Sequence, residues 1–71
     1  LSLGKYQNAL EDLSKAISFD SNDRIAYANR ARAYTYLRMD ERAKSDIEKA
    51  VALGLDRSVL EQEIQRIKAA R

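Results

Sequence analysis

One segment of this chain is written twice, and the interval between its copies constrains the fold more than any other feature. Moved along by 34 residues, Ala9, Asp12, Leu13, Lys15, Ala16, Ile17 and Phe19 fall on Ala43, Asp46, Ile47, Lys49, Ala50, Val51 and Leu53. The shared pattern is A-x-x-D-[LI]-x-K-A-[IV]. Its apolar residues lie three and four apart, as on one face of a helix. An interval of this size holds a helix–turn–helix unit. Such a unit leaves one apolar face open, and the next unit along must cover it.

The rest of the sequence agrees. The chain has 71 residues and no proline, alanine is its commonest residue, and no segment alternates with period two. The expected fold class is therefore all-α, built of antiparallel helix–turn–helix repeats with no strands. Helices are expected near residues 5–19, 23–37, 40–53 and 57–70. The first carries Ala9, Leu10, Leu13, Ala16, Ile17 and Phe19 on its apolar face. The turn Asp20-Ser21-Asn22-Asp23 follows, with Asn22 or Asp23 as the N-cap. The second helix places Tyr27, Ala31 and Tyr34 on one face. Arg38-Met39-Asp40 interrupts it, and Asp40 is placed to cap the third helix, which buries Ala43, Ile47, Ala50 and Val51. Gly54 suits the left-handed C′ position that ends this helix, with Leu55 folding back on the last turn. Either Asp56 or a Ser58/Glu61 capping box opens the fourth helix, whose apolar stripe is Leu60, Ile64 and Ile67. Leu1-Ser2-Leu3-Gly4 reads as the last turn of a further helix closed by a C′ glycine. Because the body of that helix is missing, the chain is expected to be a piece of a longer protein.

Much chemistry is excluded by composition. With no histidine and no cysteine, there is no serine or cysteine triad, no imidazole base, no disulfide and no zinc site of the usual kind. Gly4 and Gly54 are too far apart to build a phosphate-binding loop. Glu11, Asp12, Asp46 and Glu48 have basic neighbours such as Lys15 and Lys49, so no acid/base pair of carboxylates stands out. No enzymatic activity, metal or cofactor is expected. The net charge is +2, from 13 basic and 11 acidic residues. Arg24, Arg30, Arg32, Arg38 and Arg42 are close in sequence but do not share one helical face, and acidic residues lie among them. They read as surface pairing rather than as phosphate contacts. No apolar stretch is long enough to span a membrane. The lack of cysteine is compatible with the cytoplasm.

Specific motifs now carry a resemblance. Gly4-Lys5-Tyr6-Gln7-Asn8-Ala9-Leu10, followed by Lys15-Ala16-Ile17, resembles the second helix of a tetratricopeptide repeat, G-x-Y-x-x-A-[IL]…K-A-[IL]. Ala26-Tyr27-Ala28-Asn29-Arg30-Ala31-Arg32-Ala33-Tyr34 resembles the first helix of the next repeat, A-[WY]-x-N-R-A-x-A-Y. The resemblance covers nearly the whole chain and implies an α-solenoid fragment: half a repeat (5–19), one full repeat (23–53) and a capping helix (57–70). Arg38 stands where the family has an inter-helix glycine, and Ser21 and Leu55 stand where it has proline. In the last helix Glu61 and Lys68 replace the aromatic positions, as suits a solvent-facing cap.

Two sets of residues follow. Ala9, Leu13, Ala16, Tyr27, Ala31, Tyr34, Ala43, Ile47 and Ala50 are expected to pack the repeats, the alanines where helices approach closely. On the opposite side of the second helix, Ile25, Asn29, Arg32 and Tyr36 form a stripe. By resemblance it lines the concave groove where the family binds peptides. Asn29 can donate and accept there, Arg32 can present a fork to a carboxylate, and Tyr36 offers an amphipathic surface. Some tetratricopeptide domains hold a chaperone's C-terminal carboxylate, and an Asn in this context is one of their clamp residues. A clamp would also need basic residues in the following helix. Val59 and Glu63 stand at those positions, and Glu63 would repel a carboxylate.

The leading functional expectation is a protein–protein interaction module that takes a peptide or partner helix in its groove. A second is self-assembly. The first helix directs Ala9, Leu13 and Ala16 at a helix that the sequence does not supply, and a second copy in a dimer could cover them. A nucleic-acid-binding array is a third and lesser reading.

Overall fold

The computed structural model describes residues 3–71, which form four helices: α1 (Leu3–Phe19), α2 (Arg24–Tyr36), α3 (Asp40–Ala52) and α4 (Arg57–Ala70). There is no strand among the described residues. Asp23 is the N-cap of α2, and its carboxylate accepts the Ala26 N–H at 3.1 Å. Asp56, not Ser58, does the same for α4 by accepting from Val59 N–H at 3.2 Å. Between α1 and α2, the Asp20 carboxylate accepts the Asn22 N–H at 3.0 Å and closes the turn. The Tyr27 hydroxyl donates to the Ser21 carbonyl at 3.1 Å, tying that turn to α2.

α2 and α3 end in the same way. After α3, Gly54 N–H donates to Val51 C=O and Leu55 N–H to Ala50 C=O. After α2, Arg38 N–H donates to Thr35 C=O and Met39 N–H to Tyr34 C=O. Both are Schellman closures, which need positive φ at the C′ residue. Gly54 has φ 113° and Arg38 has φ 60°.

Three local expectations are corrected. Leu1 and Ser2 lie outside the described residues, but Leu3 and Gly4 belong to the first turn of α1, so Gly4 closes no helix. Glycine permits the left-handed conformation without imposing it, and the residues that follow continue the helix. Asp40 does not cap α3: Met39 is the N-cap residue, without a side-chain cap, and Asp40 begins the helix. Phe19 leaves the apolar face and is 91% exposed.

α2 sits at the centre. Among the described residues it packs on α1, α3 and α4, α3 also touches α4, and α1 touches α2 alone. The core joins Tyr27, Ala28 and Ala31 of α2 with Ala43, Ile47 and Ala50 of α3 and Leu60, Ile64 and Ile67 of α4. Ala31 and Ala50 are essentially inaccessible, so two helix backbones approach where a larger side chain would hold them apart. Tyr34 packs partly buried against the same cluster. Ala9, Leu13 and Ala16 are only half-buried, although Ala43, Ile47 and Ala50, their counterparts in the second copy of the motif, are buried. Glu61 of α4 is exposed and Lys68 is half-buried.

Candidate protein-interaction surface

α2 presents the stripe Ile25, Asn29, Arg32 and Tyr36 between its two flanking helices. Asn29 is exposed, Ile25 is 55% exposed, and Arg32 and Tyr36 are half-buried. A groove runs along each side of the stripe, and Asn29 and Arg32 line both. The first groove, about 430 Å³, lies between α1 and α2, with walls of Tyr6, Ala9, Asp12 and Leu13 against Ala33 and Tyr36. The second, about 400 Å³, lies between α2 and α4 and includes Ile25, Ala28, Val59, Leu60 and Glu63. A wider depression of about 1050 Å³ between α3 and α4 is lined largely by charged side chains, among them Asp40, Lys44, Arg57, Glu61 and Lys68. Ala43, Ile47 and Ile64 of the core line it as well.

The Arg32 guanidinium is already engaged. One nitrogen donates to Asn29 Oδ1 at 2.5 Å and another to Glu63 Oε1 at 2.6 Å. The expected open fork for a carboxylate is therefore corrected: Glu63 occupies it, and an incoming carboxylate must displace Glu63 first. Asn29 offers its carbonyl oxygen to Arg32, which leaves its amide N–H groups to donate outward. At the far end of the first groove the Tyr6 and Tyr36 rings stack, with centroids 4.2 Å apart and planes 9° from parallel. Partial burial and the Tyr36 hydroxyl push the Tyr6 phenol above its ordinary pKa.

The arginines also sort themselves. Arg30 donates through Nε and a terminal nitrogen to both oxygens of Asp46, at 2.7 and 2.8 Å. Its guanidinium lies 5.6 and 5.7 Å from the Tyr27 and Tyr34 ring centres. Asp46 is 5% exposed. Its partner is thus Arg30 from another helix, not its sequence neighbour Lys49. Because Arg30 and Arg32 hold Asp46 and Glu63, the arginines of α2 form no continuous basic stripe for phosphates.

Of these groove walls, the sequence places Val59 and Glu63 only by resemblance, at the positions where a clamp would need basic residues, and it does not single out Tyr6 as one. Only their spacing from Tyr36, Ile25 and Arg32 across helices brings them in, and that spacing is set by packing. Among the described residues no helix is long and apolar enough to cross a membrane.

Paired helices stacked at a fixed interval, with grooves along the central helix, define a helical-repeat protein. The chain belongs to the tetratricopeptide repeat family, whose sequence profile matches residues 1–23 and 25–53. No curated protein and no solved structure matched the chain. Tetratricopeptide repeats generally mediate protein–protein interactions and form a non-catalytic family.

Proposed function

We propose that this chain is an interaction module that binds a partner's peptide segment along the α2 stripe, with its anchor in the groove between α2 and α4. The observation that carries the reading is the pairing of Ile25 and Val59. Each is 55% exposed, and both line this one groove. Apolar side chains gathered in a recess lose unfavourable hydration when a ligand covers them, and such patches mark interaction sites. Asn29 supplies N–H donors for a ligand carbonyl beside them. Because Glu63 fills the Arg32 fork, the ligand's anchor is apolar rather than acidic.

The test is a peptide selected from a random display library and titrated against the chain. Val59→Glu and Ile25→Glu place a charge in the anchor site and are expected to weaken binding by about tenfold or more, with the fold intact. Arg32→Ala and Asn29→Ala are expected to weaken it less. Selected peptides that bind all four variants as they bind the parent chain would refute the reading.

A further inference from the structure

The groove between α2 and α4 has a charge opposite to that of the chain. Two carboxylates line it, Asp56 and Glu63, against one guanidinium, Arg32. The chain as a whole carries +2, so this negative excess is local. Arg32 and Glu63 offset one another, but Arg32 engages only Oε1, and Glu63 Oε2 keeps its capacity to accept. Asp56 spends Oδ1 on the Val59 N–H in capping α4. It is exposed, and among the described residues no basic side chain lies within ion-pair distance of it. The arginines near it are placed elsewhere. Arg57 pairs with Glu48 on α3, Arg66 lines the depression between α3 and α4, and Arg24 ends beside Gly54. Asn29 gives its oxygen to Arg32 and so presents donors to the groove. Val59 stands on α4 between the two carboxylates, about 5 Å of helix rise after Asp56 and about 6 Å before Glu63. Ile25 lies on the facing wall.

We propose that the partner segment bound in this groove is cationic: an apolar anchor seated on Ile25 and Val59, with a lysine or arginine one or two residues to either side that faces Asp56 or Glu63. An extended ligand advances about 3.4 Å per residue, so cations at those places come level with one carboxylate or the other when the anchor is seated. Seating the anchor also drives water from around Asp56. A ligand without a cation leaves that carboxylate less hydrated and unpaired, which costs free energy. A ligand with one gains an attraction that strengthens as water leaves. An acidic ligand, or a free C-terminal carboxylate, meets two carboxylates and a guanidinium that is already taken. The site is that of the interaction-module reading, on which this inference rests, and what is added is the charge of the segment that fills it.

The experiment screens the whole 71-residue chain against a random peptide display library and reads the enriched sequences. Lysine and arginine are expected beside the apolar anchor at about twice their frequency in the unselected library or more, with aspartate and glutamate depleted. One enriched peptide is then made with capped ends, together with an analogue whose basic residues are replaced by glutamine. Asp56→Asn and Glu63→Gln should each raise the Kd of the peptide about threefold, and together about tenfold. The analogue should bind the parent chain as weakly as the double variant binds the original peptide. Raising the salt from about 0.05 to about 0.5 M should weaken the original peptide and not the analogue. Asparagine caps a helix as well as aspartate does, and glutamine still accepts from Arg32, so both variants keep the fold. The analogue tests the same charge without altering the chain. The proposal is overturned, and the apolar anchor left standing, by enriched peptides without added lysine or arginine, or by a Kd indifferent to both variants and to salt, where Val59→Glu still abolishes binding. A library that yields no peptide, or peptides indifferent to Val59→Glu, overturns both readings. Sedimentation equilibrium that shows a dimer broken by Val59→Glu overturns the proposal in favour of a second copy.

Discussion

Arg38 and Gly54 occupy the same backbone position at the ends of successive helices, and only one of them suits it. A side chain with a Cβ is strained at positive φ, by roughly 1 kcal/mol in the left-handed helical region. Arg38→Gly is therefore expected to stabilise the chain by about 0.5–1 kcal/mol, less the added entropy of an unfolded glycine. Gly54→Ala should destabilise it by about 1–2 kcal/mol. Space is not the cause there, because a Cβ at Gly54 would meet only the end of the Arg24 side chain, at 3.8 Å. Urea midpoints that moved the other way for both variants would contradict the two closures. Asp46 gives a second residue-scale expectation. Asp46→Asn keeps the shape but removes the charge under Arg30, and should cost about 2 kcal/mol, the size of a hydrogen-bonded charge pair that is mostly shielded from water. An unchanged midpoint would show that Arg30 finds an equivalent acceptor. That Asp46 matters was half-legible in the sequence, because the aspartate recurs in the repeated motif. Its partner was not, since Lys49 is nearer along the chain and Arg30 nearer only in the fold.

At the scale of elements, two helix junctions are fastened by different chemistry, and one member of each pair, Tyr6 and Asp40, stands at the same place in the 34-residue interval. Tyr6 and Tyr36 clasp α1 to α2 by ring stacking. Asp40, 34 residues after Tyr6, clasps α3 to α4 by accepting two hydrogen bonds from Arg71, at 2.6 and 2.8 Å. Arg71 also donates to the Thr35 carbonyl at 2.9 Å, so the ionic clasp reaches α2 as well. A third pair, Arg57 with Glu48 at 2.6 and 2.7 Å, joins the start of α4 to α3 from the outer surface. These hydrogen bonds hold the Asp40 and Glu48 carboxyls below their ordinary pKa. The unfolded chain then takes up protons more readily than the folded one as pH falls. The stabilisation is complete above the ordinary carboxylate range and is lost as pH drops through about 4 toward the lower folded values. The urea midpoint should fall between about pH 5 and about pH 2.5, and less steeply in the Asp40→Asn, Glu48→Gln double variant. Equal slopes in the two proteins would show that these clasps carry none of the acid sensitivity.

For the whole molecule, the arrangement of contacts predicts uneven stability. Among the described residues α2 lies between three helices, whereas α1 packs on α2 alone and keeps Ala9, Leu13 and Ala16 half-buried. Segments with fewer buried apolar contacts open locally at lower free energy. Hydrogen exchange should therefore protect the amides of α2 and α3 most and those of α1 least. Equal protection across all four helices would mean that α1 opens only with the rest. What the sequence determined by itself is what depends on near neighbours and on period. The all-α class, the C′ role of Gly54, the alanines between helices and the repeat itself all follow from interactions within a few residues or from spacing along one helix, and the same local signals narrowed the caps to Asn22 or Asp23 and to Asp56 or Ser58. What only the tertiary structure decided is the choice of partners across helices: Arg30 with Asp46, Arg32 with Glu63, Tyr6 on Tyr36, Arg71 on Asp40. Long polar side chains on adjacent helices can each reach several others. Which pair meets depends on how far one helix is shifted and turned against the next, and that is fixed by the packing of the whole core around Ala31, Ala43 and Ala50.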